Sequence, residues 1–253
     1  MVSSDHTQKT DQSSTPTSDR KELQGVTGTL TSRSIRSFVI RNGRLTEAQQ
    51  EAIDQLLPKY GIPFEDKITD FNQCFGRTAD TWIEIGFGNG DALLHMAEQH
   101  PEVNIIGCEV HAPGVGHALL GIQARGLSNV RIIQHDAMEV LQRMVGEQAL
   151  ARVLLFFPDP WHKKRHHKRR IVQDEFVKTV SSRLRSGGYL HCATDVSDYA
   201  DWMLEHLQPA EQLINESTDQ RFVEQPSWRI NTRFERRGQR LGHDVFDLLY
   251  RRR

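Results

Sequence analysis

Three closely spaced glycines are the first residues in the sequence whose types suggest chemistry. Gly86, Gly88 and Gly90 follow an apolar run and precede a helical pattern that opens at Asp91. Glycine permits a sharp strand-to-helix turn and lets a ligand approach the backbone, while a helix N-terminus offers unpaired N–H groups. The third glycine comes one residue earlier than in the GxGxxG turn of dinucleotide-binding proteins, so this GxGxG turn disfavours NAD.

Three carboxylates accompany this turn. Glu84 lies two residues before the first glycine, where a carboxylate suits a cationic amine. Glu109 comes nineteen residues after Gly90, where a carboxylate can accept hydrogen bonds from both hydroxyls of a ribose. Asp136 ends the next apolar run, in place to meet an adenine edge. The set predicts a site for a nucleoside that carries positive charge and no phosphate. The alternative is that the carboxylates only cap helices around an ordinary loop.

A fourth carboxylate, Asp159, stands between two prolines in Pro158-Asp159-Pro160-Trp161, directly after another apolar run. The prolines stiffen the turn, so the carboxylate can be aimed at a reacting base, and Trp161 offers a face for base stacking. An ordinary strand-ending turn with a core tryptophan is the alternative. The carboxyl ends of strands are where open α/β sheets bind ligands, which favours the catalytic interpretation.

The densest charge in the chain follows at once. Six of the nine residues at 162–170 are Lys or Arg, and the other three are His. Such a run is usually a solvated face, but beside Asp159 it predicts phosphate binding. A zinc site from His162, His166 and His167 is the competing interpretation. We predict no metal, because the surrounding cations repel one and Asp159 is the only carboxylate nearby.

Cations also concentrate near the C-terminus, where residues 229–253 hold eight arginines and three carboxylates. The whole chain carries 32 Lys+Arg and 33 Asp+Glu, a net charge of −1. Near-neutrality therefore reflects segregated patches and does not exclude a polyanion. Arginine suits bidentate phosphate contacts and stacking on bases, so the patches predict an RNA partner. For the last three residues a solvated, arginine-rich tail is a fair alternative.

The framework that must position these residues is an alternation of short apolar runs and helical patterns, typical of βαβ units. Strands are predicted at 82–85, 103–110, 130–134, 153–157 and 189–193, and helices at 92–99, 115–124, 137–145, 173–184 and 197–207. Five repeats favour an open, doubly wound, mostly parallel α/β sheet over a barrel, which needs eight. Residues 213–214 and 245–250 are predicted to add antiparallel strands at the C-terminal end.

The N-terminal part divides into a tail and an extension. Residues 1–34 include fourteen Ser or Thr and almost no apolar periodicity, which predicts a disordered tail. Residues 35–253 are predicted to form a single domain with 35–75 as an N-terminal extension. A helix should start near Leu45, with Thr46 and Gln49 as a capping box, and run to Leu57, with Pro58, Gly61 and Pro63 ending it.

Composition sets the remaining limits. Hydrophobic residues make up 37% and charged residues 26%, which is typical of a soluble globular protein. No window approaches the roughly 18 apolar residues of a membrane span, and the start of the chain lacks a signal-peptide core. The three cysteines show no CxxC spacing, so neither a disulfide framework nor a zinc knuckle is predicted. We expect a cytoplasmic protein, monomeric or homodimeric.

Four stretches resemble motifs of one family: 36–39 with 43–46, 84–90, 156–166 and 232–235. The family is that of the single-subunit bacterial tRNA (guanine-N7-)-methyltransferases, which are Rossmann-like class I enzymes dependent on S-adenosylmethionine. The resemblance covers residues 36–251. The glycine turn alone would indicate only class I, but the glycine turn and Phe156-Phe157-Pro158-Asp159-Pro160-Trp161-His162-Lys163-Lys164-Arg165-His166 together are highly specific.

The resemblance implies roles residue by residue. The positions implied for S-adenosylmethionine are Glu84, Gly86, Gly88, Gly90, Glu109, Asp136 and Asp159. Asp159 is also implied in catalysis. The positions implied for the tRNA substrate are Lys163, Asp195, Thr232, Arg233, Phe234 and Glu235. The positions implied for further RNA contact are Arg165, His166, His167, Lys168, Arg169 and Arg170. For Asp195 an N-cap role at the start of the helix, before Val196, is as good an interpretation as the substrate role.

The reaction that the family implies is methyl transfer to N7 of a guanine in the tRNA variable loop. N7 carries a lone pair and no proton, so an in-line displacement needs no general base, and positioning should carry much of the catalysis. Methylation leaves the purine cationic, so Asp159 can stabilise the developing charge.

Two rival functions remain open at this point. An enzyme that methylates amino groups uses a related Asn/Asp-Pro-Pro-aromatic turn, but here the aspartate stands between the prolines. An RNA-binding module with a relic cofactor fold should have lost its glycines or acids, and all are present.

Overall fold

The computed structural model describes residues 36–39, 44–230, 235 and 244–253. The predicted tail at 1–34 and the stretch Thr232, Arg233 and Phe234 lie outside the described residues. Over the part of the chain that the structure describes, no helix combines the length and apolar character needed to cross a membrane.

One sheet organises the described chain. Its strands are β1 Thr81–Ile85, β2 Asn104–Cys108, β3 Val130–Ile133, β4 Leu150–Phe156, β5 Leu184–Thr194, β6 Leu213–Asn215 and β7 Phe246–Arg252. Their spatial order is β3-β2-β1-β4-β5-β7-β6. Strands β1 to β5 pair in parallel, whereas β7 is antiparallel to both β5 and β6. The predicted fold class is therefore confirmed, including the antiparallel C-terminal strand.

Helices cover both faces of this sheet. They are α1 Glu47–Tyr60, α2 Phe71–Phe75, α3 Asp91–Gln99, α4 Ala112–Ala124, α5 Ala137–Arg143, α6 Asp174–Arg183 and α7 Ser197–Leu207. One apolar core holds buried residues of α1, α3 and α4, and a second holds those of α5, α6 and α7. Because β1 contributes Trp82 to one core and Ile83 to the other, the sheet is wound on both sides as predicted.

The extension is fastened to the sheet by helix α1. The predicted capping box is present, since the Thr46 hydroxyl accepts from the Gln49 N–H and the Gln49 side chain accepts from the Thr46 N–H. The predicted end at Leu57 is wrong, because α1 runs to Tyr60 with Pro58 inside. Gly61 closes the helix as predicted, with its N–H donating to the Leu57 carbonyl at 2.7 Å.

Helix α4 begins three residues before its predicted start, and its glycines explain the packing behind the site. A Cβ at Gly114 would lie 2.2 Å from the Gly88 carbonyl oxygen, and one at Gly116 would lie 2.8 Å from the Gln49 Cβ. These glycines let α4 touch both the glycine turn and α1. The extension, α4 and the turn therefore form one packed stack.

Two strands are longer than predicted. β4 begins at Leu150, and β5 begins at Leu184, with a register shift between Leu150 and Arg152. Residues 185–188 lie between the predicted helix and the predicted strand, yet they belong to β5, and Leu184 at its start pairs with Leu150. The carboxyl ends of these strands, where the site lies, end within one residue of the prediction.

Candidate active site at the carboxyl edge of the sheet

The glycine turn adopts the conformation that its residue types predict. Gly86, Gly88 and Gly90 have φ values of 67°, 57° and 83°, in the left-handed region that other residues rarely enter. The Gly86 N–H donates to the Cys108 carbonyl at 2.8 Å, which fixes the turn against the end of β2. The space beside the Cα atoms of Gly86 and Gly88 is open, so a ligand can approach the backbone there.

A cavity of about 210 Å³ opens at this edge. It brings together four residues that the sequence singled out, namely Gly86, Glu109, Asp136 and Asp159. They come from the ends of β1, β2, β3 and β4, which meet at one edge because these strands are parallel. Gly88 and Gly90 shape the turn without lining the cavity.

Glu109 is buried and held by the backbone. Its Oε2 accepts from the Gly88 N–H at 2.9 Å, and its Oε1 accepts from the N–H groups of Val110 at 2.7 Å and His111 at 2.9 Å. These bonds fix the carboxylate at the cavity wall before any ligand arrives. They also tie the glycine turn to the start of α4.

Glu84 lies on β1 without lining the cavity, and its side chain is 3% exposed. Its Oε2 has no hydrogen-bond partner among the described residues. Burial, with a smaller contribution from the Glu109 charge, raises the pKa of Glu84 from 4.5 to about 8. A buried carboxyl of this kind favours a cationic ligand group, since an adjacent positive charge stabilises its ionised form.

Asp136 serves two purposes that the sequence presented as alternatives. It lines the cavity and also caps α5, with its Oδ1 accepting from the Met138 N–H at 2.9 Å. The next residue back, His135, lines the cavity too and stacks on Phe64 with ring centroids 3.7 Å apart. Sequence reasoning missed both residues, because only adjacency to Asp136 pointed to His135 and no sequence signal pointed to Phe64.

The turn that carries Asp159 is held in an uncommon backbone conformation. The residues on either side of the Pro-Asp-Pro segment, Phe157 and Trp161, have φ values of 50° and 48°. Such angles persist in non-glycine residues only where surrounding contacts impose them, often at functional sites. The Phe157 N–H donates to the Ala193 carbonyl at 2.8 Å. Asp159 itself is exposed at the cavity rim.

Trp161 links this turn to the extension. Its indole N–H donates to the Ser37 carbonyl at 3.0 Å, and the Arg169 guanidinium lies 4.6 Å from its ring centroid. One aromatic face is therefore covered by a cation. Ser37 and Phe38 line the cavity beside this contact, a placement that sequence spacing did not reveal.

The basic run forms a short 3₁₀ helix, Lys164–Arg169. Lys163, Lys164, Arg165 and Lys168 are exposed, and no ion pair within the described residues involves them. Their charges are therefore available to phosphates. His166 and His167 are half-buried, and partial burial together with neighbouring cations lowers the pKa of His166.

Arg170 differs from the rest of the run because its side chain is 1% exposed. Its Nε donates to the Pro160 carbonyl at 2.9 Å, and its guanidinium pairs with Asp198 and lies over Tyr199. This arginine braces the Pro158-Asp159-Pro160 turn from below. It does not face solvent with its neighbours.

The remaining predicted residues fall outside the cavity lining. Lys163 stands at the start of the 3₁₀ helix, and Asp195 follows the end of β5. Asp195 does not cap α7, whose N-cap is Val196, so that alternative is wrong. Among the described residues no group of three or more His, Cys, Asp and Glu side chains is suited to a metal ion.

The C-terminal arginines that the structure describes occupy two different places. Arg229 is buried near the carboxyl edge, where its Nη1 donates to Glu235 Oε2 at 2.6 Å. Arg251 and Arg252 end β7 opposite Tyr189 and Leu213, at the amino edge of the sheet. Because β7 is antiparallel, its last arginines lie at the far end from the cavity.

The fold, the glycine turn and the carboxylate-lined cavity define a class I methyltransferase that uses S-adenosylmethionine. A family model described as a putative methyltransferase matches residues 78–248. The chain is 52% identical to a tRNA (guanine-N(7)-)-methyltransferase of Methylococcus capsulatus over 222 residues, covering 87% of this chain and 95% of that one. It is 53% identical to one of Pseudomonas savastanoi pv. phaseolicola, covering 86% and 89%. The chain belongs to the tRNA (guanine-N(7)-)-methyltransferase family.

Solved structures agree on the fold. The 16S rRNA methyltransferase KamB superposes with a TM-score of 0.51 at 16% identity, covering 74% of this chain and 95% of that one. TrmN from Thermus thermophilus superposes with a TM-score of 0.51 at 16% identity, covering 72% and 48%. At this identity the likeness concerns architecture alone.

Proposed function

We propose that this chain transfers a methyl group from S-adenosylmethionine to N7 of a guanine in the variable loop of tRNA. One observation carries the proposal beyond family membership. Asp159 lies at the point where the carboxylate-lined cavity meets the exposed cations at 163–168. A donor site and a phosphate-binding surface are therefore adjacent at a single carboxylate.

The residues present fit the methyl donor. The buried Oε2 of Glu84 lacks a partner among the described residues and suits an ammonium group, while Glu109 and Asp136 present acceptors at the cavity wall. The bound donor supplies an electrophilic methyl carbon on a sulfonium centre. The chain's own contribution is to hold that donor in the carboxylate-lined cavity.

The acceptor chemistry matches a site without a general base. Guanine N7 bears a lone pair and no proton, so the chain has no proton to remove there, and its task is to orient the base. Asp159 can accept a hydrogen bond from the guanine N1–H or amino group and stabilise the growing positive charge. A carboxylate in a stiff, exposed turn suits both roles.

The exposed cations at 163–168 are proposed to contact tRNA phosphates. Lys163, Arg165 and Lys168 are exposed and form no ion pair within the described residues, so binding would release counterions from the RNA. His166, His167 and Arg169 border this surface, whereas Arg170 is proposed to support it from within. Asp195, Glu235 and the stretch Thr232, Arg233 and Phe234 keep the substrate role that the family resemblance implies.

We further propose that residues 35–253 act as one methyltransferase domain in the cytoplasm, where tRNA is modified. The extension at 35–75 is proposed to complete the donor site, because Ser37 and Phe38 line the cavity wall.

The test is product identification. The protein is incubated with labelled S-adenosylmethionine and an unmodified tRNA transcript, and the RNA is digested to nucleosides. We expect the label in 7-methylguanosine, mapped to the variable loop. Label on an exocyclic amino group would favour the amino-methylating alternative, and absence of label from tRNA would contradict the proposal.

A further inference from the structure

A buried polar network contacts the Asp159 turn, and none of its members lines the cavity. Arg229 is its centre, with Nε donating to Asp247 Oδ1 at 2.7 Å and Nη2 donating to Asp247 Oδ2 at 2.8 Å. Its Nη1 donates to Glu235 Oε2 at 2.6 Å. The three side chains are each at most 3% exposed, so these are desolvated, charge-assisted contacts.

His191 extends the network into β5. Its Nε2 bonds Asp247 Oδ1 at 2.7 Å, and its Nδ1 accepts from the Trp228 indole N–H at 3.1 Å. Since Nδ1 accepts, Nε2 carries the proton and donates to Asp247. Burial lowers the pKa of His191 despite the Asp247 carboxylate, so the ring is the neutral tautomer that this geometry requires.

Trp228 is clamped on its other side. The Arg152 guanidinium lies 4.0 Å from the Trp228 ring centroid and 4.1 Å from that of Trp82. The cation is therefore held between two indoles, which fixes Trp228 against β1 and β4. Arg229 is the next residue in the chain, so the contacts of Trp228 also restrict its position.

Two aromatic residues at the start of the Asp159 turn, Phe156 and Phe157, contact the network. The Phe156 ring meets the His191 ring edge-on with centroids 5.0 Å apart. The Arg229 guanidinium lies 5.8 Å from the Phe157 ring centroid. Phe157 has a left-handed backbone and lines the cavity, two residues before Asp159. A conformation of this kind needs external contacts to persist, and Arg229 supplies one.

We propose that Arg229, with Asp247 and His191, is a positioning residue that holds the Phe157-Pro158-Asp159 turn in its reactive geometry and ties Glu235 to it. The inference rests on the proposed function, since the reaction is read out as methyl transfer to tRNA. None of the three residues lines the cavity. Arg229 therefore acts through Asp159 and not on the methyl donor.

The experiment is a double-mutant cycle with Arg229→Gln and Asp159→Ala in the full-length protein. We expect Arg229→Gln to lower kcat for tRNA about 30-fold in the wild-type background and less than about threefold in the Asp159→Ala background. Affinity for S-adenosylmethionine, measured by calorimetry, should change less than about threefold. A general loss of stability would instead lower activity equally in both backgrounds.

The matched control is Arg185→Gln. Arg185 also forms a two-bond pair, with Asp80 at 2.7 Å through each oxygen, at the amino edge of the sheet. The kcat of the Arg185→Gln variant should equal that of the wild type. If Arg229→Gln does not fold, Arg229→Lys and Phe157→Leu replace it, because each disturbs the cation–ring contact while keeping a filled core.

The outcomes separate this inference from the proposed function. A wild-type enzyme that fails to methylate tRNA contradicts the proposed function. An active wild type in which Arg229→Gln leaves kcat unchanged, or lowers it equally in both backgrounds, overturns the positioning role alone.

Discussion

The donor cavity and the basic run meet at one edge of the sheet but are built in opposite ways. At the cavity, Glu109 is buried at the end of β2 and held by three backbone N–H groups, and Glu84 is buried close by on β1 without lining it. In the run, the cations stand exposed on a short 3₁₀ helix. A desolvated charge in fixed geometry has a large individual effect, whereas solvated charges act weakly and collectively.

This difference explains how a chain of net charge −1 can bind RNA. Negative charge is taken up by the cavity and by paired surface residues, while the cations at 163–168 have no ion pairs within the described residues. We therefore expect the largest effects of substitution at Asp159, the junction where the two regions meet, and smaller effects farther from it.

The largest effect is expected at the junction. Asp159→Ala should lower kcat about 10²–10³-fold, because it removes the carboxylate that stabilises the cationic purine. The change is measured by single-turnover methyl transfer to tRNA, with donor affinity measured separately. Asp159→Asn is the shape-matched control and should recover only part of the rate. Normal single-turnover chemistry in Asp159→Ala would contradict the catalytic role.

The next effect concerns the cavity. Glu84→Gln should weaken S-adenosylmethionine binding about 30-fold at pH 8, since an amide cannot neutralise an ammonium group in a desolvated site. Calorimetric titration measures the change. Glu102→Gln, which alters an exposed carboxylate before β2, serves as the control and should bind as the wild type does.

Because the pKa of Glu84 is raised to about 8, the affinity for S-adenosylmethionine should depend on pH. At pH 7 the free carboxyl is mostly protonated, so binding a cationic donor releases a proton. Affinity should therefore rise by up to about tenfold per unit between pH 6 and 8 and level off above. The free energy of unfolding of the donor-free protein should change in the opposite direction and fall as the pH rises from 4.5 toward 8. Equal slopes in Glu84→Gln and the wild type would remove Glu84 from the donor site.

A smaller, collective effect is expected in the basic run. Replacing Lys163, Arg165 and Lys168 by Gln should weaken tRNA binding about tenfold and reduce the slope of log affinity against log salt by about 2. Filter binding over a series of salt concentrations measures both. The control replaces three exposed cations that already pair with carboxylates, namely Lys67, Arg125 and Arg143. An unchanged slope would place tRNA elsewhere.

The smallest effect is expected where the extension meets the junction. Trp161→Phe removes the indole N–H that donates to the Ser37 carbonyl but keeps an aromatic ring beneath Arg169. The KM for S-adenosylmethionine should rise about threefold, the cost of one partly buried hydrogen bond. A KM equal to the wild-type value would show that Ser37 and Phe38 stay at the cavity wall without this bond.

Sequence periodicity predicted the parts of the fold that local patterns encode. The mostly parallel sheet follows from the βαβ alternation, and because its strands are parallel, the carboxyl ends of β1 to β4 bring Gly86, Glu109, Asp136 and Asp159 together. The capping box at Thr46 is likewise local. Pro58 misled because α1 continues past it for two residues, to Tyr60.

Long-range packing accounts for what the sequence did not reveal. Arg170 is the last cation of a basic run, yet it is buried because Asp198 and Tyr199, on a distant helix, surround it. The Arg229 network joins residues that are up to 56 positions apart. No local spacing identifies such partners, so their roles emerged only from the structure.

We propose that the junction at Asp159 directs methyl transfer to guanine N7. The most direct measurement compares labelled methyl transfer to tRNA with transfer to the same tRNA containing 7-deazaguanosine, in which a C–H group replaces N7. We predict transfer to the first RNA and none to the second, with both RNAs binding equally well. Methyl transfer to the deaza-substituted tRNA would contradict the claim.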